Sequence, residues 1–317
     1  MVGHRFFCDH CLTLGFAQIE INEILIVIVD MKLKYIFLLL MHTMLFFANV
    51  DAEEINQKIV INNENVGKKE DETLINIGKN FVEWSGKITD KGVSALIDAS
   101  KDNADIREFS IVSLGGDVKS AIRLANWIKL RGMDVRVRDV CFSACANYVF
   151  LAGNRKIIED YAFVAWHGDV FQKNFRELIQ KYEGISLGKN LNNKFLNDED
   201  EEFIFKNKIK YESLKDLQKQ HVDFYSYVGV NDDIGKIGQE PIVYKSDGWT
   251  VTLKLMEFYG IKNVVASEGY AKGNYFSSNP LSYVINKGPL LILDIDQDNN
   301  IYALPFPPPK KRKTLNP

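Results

Sequence analysis

Three short segments carry residue types able to do acyl-transfer chemistry. Ser143 sits in Cys141-Phe142-Ser143-Ala144-Cys145-Ala146, where strand periodicity gives way to helix periodicity and small neighbours leave the hydroxyl reachable. A serine hydroxyl becomes a good nucleophile only when a base takes its proton, and imidazole suits that task because its ordinary pKa lies near neutrality. Of the five histidines, His4, His10 and His42 fall in an N-terminal leader and His221 in a charged helical stretch. His167 stands at the end of an apolar strand, 24 residues after the serine. The third segment is Ser113-Leu114-Gly115-Gly116-Asp117, whose paired glycines let the chain turn sharply out of a strand and bring bare backbone to a ligand. Amides at a helix start favour an anion, and the Ala144 N–H would lie beside any oxyanion formed by attack from Ser143. Each segment also has a plain structural reading. Asp117 and Ser143 are both good helix N-caps, and a lone histidine is often structural.

These residues need elements to hold them. Residues 73–85 are rich in aliphatic and aromatic side chains, and residues 89–99 place Val93, Leu96 and Ile97 at helical spacing. Residues 109–114 read as a short buried strand ending at Gly115-Gly116. Val118, Ala121, Leu124, Ala125 and Ile128 mark a helix stopping near Gly132, and Val135, Val137 and Val140 mark the next strand. A helix is expected from about Ser143 to Gly153, then strands over 155–158 and 162–166. Strands joined by such helices imply crossovers and a mostly parallel sheet covered by helices, an α/β fold. Residues 171–227 read as an inserted helical arm whose acidic run, 197–202, is a solvated face. Residues 250–266 resume a helix and strand pattern, and residues 271–304 read as β hairpins with a turn-rich segment at 294–300.

The leader divides in two. Met31-Lys32-Leu33-Lys34 is a short positive region, residues 35–48 are almost wholly apolar, and Val50-Asp51-Ala52 offers a signal-peptidase site, so residues 31–52 read as a signal peptide and 1–30 as an upstream extension. The apolar run is shorter than the about 20 residues a spanning helix needs, which favours export, periplasmic or secreted, over a membrane anchor formed by an uncleaved signal. Cys8 and Cys11 have the spacing of half a zinc site, but no second half follows, and no metal site is expected. Residues 53–72 form a linker or entry segment, in which Ile59, Val60 and Ile61 could make an entry strand, and 305–317 a Pro- and Lys-rich disordered tail. In an oxidising compartment Cys141 and Cys145 could form a disulfide; two small buried thiols are the other reading. The formal net charge of −3 gives no basic field to recruit nucleic acid.

The ordered set SLGGDV, VCFSACANYVFLAGNR and FVAWHGD, spanning residues 109–169, resembles the ClpP/crotonase superfamily, in particular its exported ClpP-like and signal-peptide-peptidase-like serine proteases. The resemblance implies a core of repeated ββα units over residues 73–270, the arm included. It makes Ser143 the nucleophile, His167 the general base and then acid, and the backbone N–H groups of Gly116 and Ala144 the oxyanion hole. It also implies a polypeptide substrate, no metal or organic cofactor, and possible homo-oligomers. Leu114 departs from the family's proline before the glycines. The acid that orients the imidazole is expected at Asp247 by its order before the following helix, with Asp223 as the alternative. A non-catalytic binding or assembly module on the same fold is the other functional reading. An acyl-thioester enzyme would call for acidic residues near the glycines and does not suit an exported chain.

Overall fold

Apolar strands alternate with one-sided apolar helices from residue 81 to residue 165, and the computed structural model builds from them a layered α/β fold. The described residues are 55–62, 72–186, 198–237, 248–272, 275–278 and 290–304. The leader with Cys8 and Cys11, Asp247, and the basic tail lie outside them.

Strands β1 (Ile55–Asn62), β2 (Glu72–Gly78) and β3 (Phe81–Ser85) pair antiparallel. From β3 onward the sheet is parallel, through β4 (Glu108–Ser113), β5 (Asp134–Phe142), β6 (Lys156–Ile158) and β9 (Val264–Val265), with β7 (Phe163–Ala165) also on β5. Parallel neighbours need a crossover. Helix α1 (Asp90–Ala99) joins β3 to β4, and α2 (Val118–Leu130) joins β4 to β5. Thr89 caps α1 by accepting from the Gly92 N–H, and Asp117 caps α2 by accepting from the Ser120 N–H. The helices bury Val93 and Leu96, and Ala121, Leu124, Ala125 and Ile128, in one core with Ile111, Val135 and Val137. Each fully buried Val, Leu or Ile among them is worth roughly 1.5–3 kcal/mol.

One irregularity sets up the site. The β4–β5 pairing runs to Ile111↔Val137 and resumes at Ser113↔Cys141, so β5 carries extra residues in between. Such a bulge bends a strand. The first half of β5 pairs with β6 and its end pairs with β7, from Val140↔Phe163 to Phe142↔Ala165. The segment after β5 therefore emerges beside the segment after β7. The helix expected from about Ser143 to Gly153 is present over residues 144–152, but its turns Cys145–Phe150 are wound as a π-helix. All six of its residues are buried, so no exposed face betrays its period.

Cys141 and Cys145 are disulfide-bonded with Cα atoms 5.2 Å apart, closing a loop around Ser143. Chain entropy for so short a loop gives only about 2 kcal/mol. The Cys141→Ala/Cys145→Ala double variant is expected to lose about that much, a fall in Tm of roughly 4–8 °C, read by thermal unfolding.

A second sheet has the order β11-β10-β8, from β8 (Trp249–Val251), β10 (Leu291–Ile295) and β11 (Ile301–Leu304). β10 and β11 form the expected hairpin, but β10 also pairs parallel with β8, so this sheet draws strands from both sides of a boundary after residue 270. Backbone N–H groups of Trp166 and Trp249 each donate to the other's carbonyl at 2.8 Å, tying β8 to the end of β7. Helix α5 (Leu253–Phe258) follows β8, capped by Thr252. The arm consists of α3 (Lys173–Ser186) and α4 (Asp198–Val228), whose Tyr211 hydroxyl and Glu183 carboxylate are in hydrogen-bond contact. The last turns of α4 bury His221, Phe224 and Tyr225 against Tyr148 of the π-helix. Among the described residues no helix is long and apolar enough to cross a membrane.

Candidate active site

The parallel strands β3, β4, β5 and β7 all end on one edge, the edge where open α/β sheets gather their ligand sites. Ser143, the residue after β5, has φ +61°. That left-handed conformation costs a non-glycine residue about 1–3 kcal/mol and persists only where the surroundings fix it. Here the Ser143 N–H donates to the Ala165 carbonyl at 3.1 Å, the Asn147 N–H donates to the Ser143 carbonyl at 2.9 Å, and the disulfide spans the turn.

The turn aims the hydroxyl at His167. Ser143 Oγ and His167 Nε2 are 2.6 Å apart. With the imidazole proton on Nδ1, Nε2 can accept the hydroxyl proton. The Phe142 ring lies 5.0 Å from the imidazole, centroid to centroid, tilted by 33°. His167 is exposed and Ser143 half-buried, so a substrate can reach both.

The Gly-Gly turn closes the third side. Gly115 has φ +93°, and a Cβ there would stand 2.8 Å from Ser143 Cβ and 3.0 Å from the Ala144 nitrogen. Only glycine lets the turn approach the serine this closely. The Ile88 N–H donates to the Gly115 carbonyl and the Asp117 N–H to the Ile88 carbonyl, both at 2.9 Å. The N–H groups of Gly116 and Ala144 donate to no backbone carbonyl among the described residues in the turns and caps of this region. A cavity of about 460 Å³ runs along the turn, lined by Gly86, Val112, Leu114, Gly115, Gly116 and Val140 among others.

Of the two carboxylates expected to orient the imidazole, Asp223 is exposed on α4 and paired with Lys219 at 2.7 Å, one helical turn earlier. It is engaged there. Asp247 lies outside the described residues; two residues after it, Trp249 bridges to Trp166, the neighbour of His167.

Asp169 is turned elsewhere. It accepts from the Phe171 N–H at 2.7 Å, and its other oxygen lies 3.8 Å from His221 Nε2; neither of those two atoms makes a hydrogen bond among the described residues. The Tyr148 hydroxyl and His221 Nδ1 are 2.9 Å apart, and the imidazole stacks on Tyr225. Burial raises the Asp169 carboxyl to about 6, against the help of the Phe171 amide, and lowers the His221 imidazole to about 4, with Asp232 opposing.

The two shifts act in opposite directions over nearly the same pH range. Between 3.8 and about 6 the folded chain keeps a proton on Asp169 that the unfolded chain has lost, so stability falls as pH rises. Between about 4 and 6.5 the unfolded chain takes a proton that folded His221 refuses, so stability falls as pH drops. Asp169→Asn removes only the first. The variant is expected to gain roughly 2–3 kcal/mol at pH 7 and to lose stability steadily in acid below neutrality, where the wild type stays nearly level. Urea unfolding across that range reads both effects.

Among the described residues no group of histidines, cysteines and carboxylates is arranged to hold a metal ion. No family model matches the chain, and no curated protein matches it. Asn147, Tyr148 and Tyr225 do not stand out in the sequence as site residues. The available signal was Asn147 itself, one amide in the apolar run CANYVF, because a buried polar side chain must find partners.

Proposed function

We propose that this chain is an exported serine hydrolase of the ClpP/crotonase-like kind, acting on polypeptides through Ser143 and His167. The observation that carries the reading is the 2.6 Å contact between Ser143 Oγ and His167 Nε2, made from a serine held at φ +61° beside the Gly-Gly turn. Ser143 Oγ attacks the substrate carbonyl while His167 Nε2 takes its proton. The N–H groups of Gly116 and Ala144 hold the negative charge that develops on the carbonyl oxygen. His167 then returns the proton to the departing amine, leaving an acyl-enzyme, and the same imidazole activates water to release the acid. Asp247 is the proposed orienting acid. The cavity beside the turn, with Val112, Leu114 and Val140 on its walls, suits an apolar substrate side chain next to the scissile carbonyl.

A disulfide in the core fits an oxidising compartment and supports export through the signal segment. The sheet, parallel from β3 onward and carrying the serine, histidine and glycine segments at its strand ends, is compatible with the family. Turnover of peptide and ester substrates by the purified protein tests the reading. Hydrolysis with an initial burst of product, absent in Ser143→Ala, is the expected result. Equal turnover by Ser143→Ala, or none by the folded wild type across both substrate types, would overturn it in favour of a binding module.

A further inference from the structure

The nucleophile and the base come from different strand ends, and one buried side chain joins them. Asn147 lies in the π-helix with 4% of its surface exposed. Its backbone N–H donates to the Ser143 carbonyl at 2.9 Å, fixing the turn that carries the nucleophile. Its side-chain Nδ2 donates to the Gly168 carbonyl at 2.8 Å, fixing the residue after His167. Gly168 has φ +129°, a conformation that L side chains rarely adopt. The Tyr225 hydroxyl, from the last turns of α4, donates to Asn147 Oδ1 in a long contact of 3.4 Å. Both ends of the amide are thus engaged in a buried place, where a hydrogen bond is strong and a lost partner costly.

We infer that Asn147 is a positioning residue that holds the His167 segment against the Ser143 turn, and that Tyr225 lends it support from the helical arm. This rests on the hydrolase reading for its effect on rate, but not for its effect on geometry. Asn147 touches neither substrate nor proton. It acts by keeping Oγ and Nε2 within hydrogen-bond distance, and misplacing such a pair by about 1 Å can cost on the order of a hundredfold in rate. The arm is thereby coupled to the site, because Tyr225 reaches Asn147 from α4.

The test uses Asn147→Leu, which keeps the bulk and loses both side-chain hydrogen bonds, with two readouts on the wild-type and variant proteins. One is the rate of Ser143 modification by a fluorophosphonate, resolved into binding and bond-forming steps. The other is the pH titration of His167 followed by NMR with labelled histidine, which needs no catalysis. The expected result is a bond-forming step slowed on the order of tenfold or more, unchanged probe binding and a displaced His167 titration. A folded Asn147→Leu that reacts within about twofold of wild type and titrates identically would overturn the inference. Should Asn147→Leu fail to fold, Tyr225→Phe removes one hydroxyl and keeps the ring. A slower bond-forming step with a displaced His167 titration in that variant supports the inference, and wild-type behaviour in both readouts overturns it. If the wild type itself does not react, the hydrolase reading fails while the titration still decides whether Asn147 positions His167.

Discussion

His167→Ala is expected to slow covalent modification of Ser143 by about 10²–10⁴-fold, the usual worth of a positioned general base. That range corresponds to about 3–5 kcal/mol of barrier. The 2.6 Å contact to Ser143 Oγ disappears in the variant, and among the described residues no other histidine takes its place, since His221 is fully buried against Tyr148 and Tyr225. Because His167 is exposed, its truncation opens no interior cavity, and stability should stay within about 1 kcal/mol of wild type. That separation assigns the lost rate to chemistry. Raising the pH should restore part of it, because solvent hydroxide can then take the serine proton. The check is a pseudo-first-order rate of fluorophosphonate adduct formation in both proteins, followed by mass. A rate in His167→Ala close to wild type would mean that His167 is not the base.

Gly116→Ala should cost roughly 3–5 kcal/mol of folding stability. A Cβ at this position would fall 2.1 Å from the Ile88 carbonyl oxygen and within 2.9 Å of the Ile88 nitrogen and carbonyl carbon. All three atoms are backbone, so no side chain can rotate aside. The turn would have to withdraw from residue 88, breaking the Ile88 N–H to Gly115 and Asp117 N–H to Ile88 hydrogen bonds that hold it. Each is worth about 1 kcal/mol, and the displaced packing adds about 1–3 kcal/mol. Urea unfolding measures the loss. A Gly116→Ala protein as stable as wild type would show that the turn can move without penalty.

Ser143 and His167 are legible as a pair because each is polar at the end of an apolar run, and their order along the chain brings the two strand ends together. The parallel α/β core is legible for the same reason, from strands and crossover helices that each display a clear period. The fork in β5 is not. It depends on how Ser113 and Cys141 come into register, which sequence periodicity does not encode. Likewise the pairing of β8 with β10 joins residues 42 apart, Trp249 with Leu291 and Val251 with Leu293, and Thr252 just after β8 adds a side-chain hydrogen bond to Asp294. Asn147 stays hidden because its partners lie 21 and 78 residues away. Lys219 stands one turn before Asp223 on a charged helix, a spacing that favours the ion pair the two make. The cysteines fit either two thiols or a disulfide by spacing alone, and the close Cα atoms of the folded turn decide between them.

The most direct test of an activated Ser143 is mass mapping of the folded protein after reaction with a fluorophosphonate. Attack by Ser143 Oγ on phosphorus expels fluoride and leaves one stable adduct. A single modification is expected on the peptide containing Ser143, absent from Ser143→Ala and strongly slowed in His167→Ala. Folded wild-type protein that stays unmodified, or that carries the adduct on another residue, would contradict that expectation.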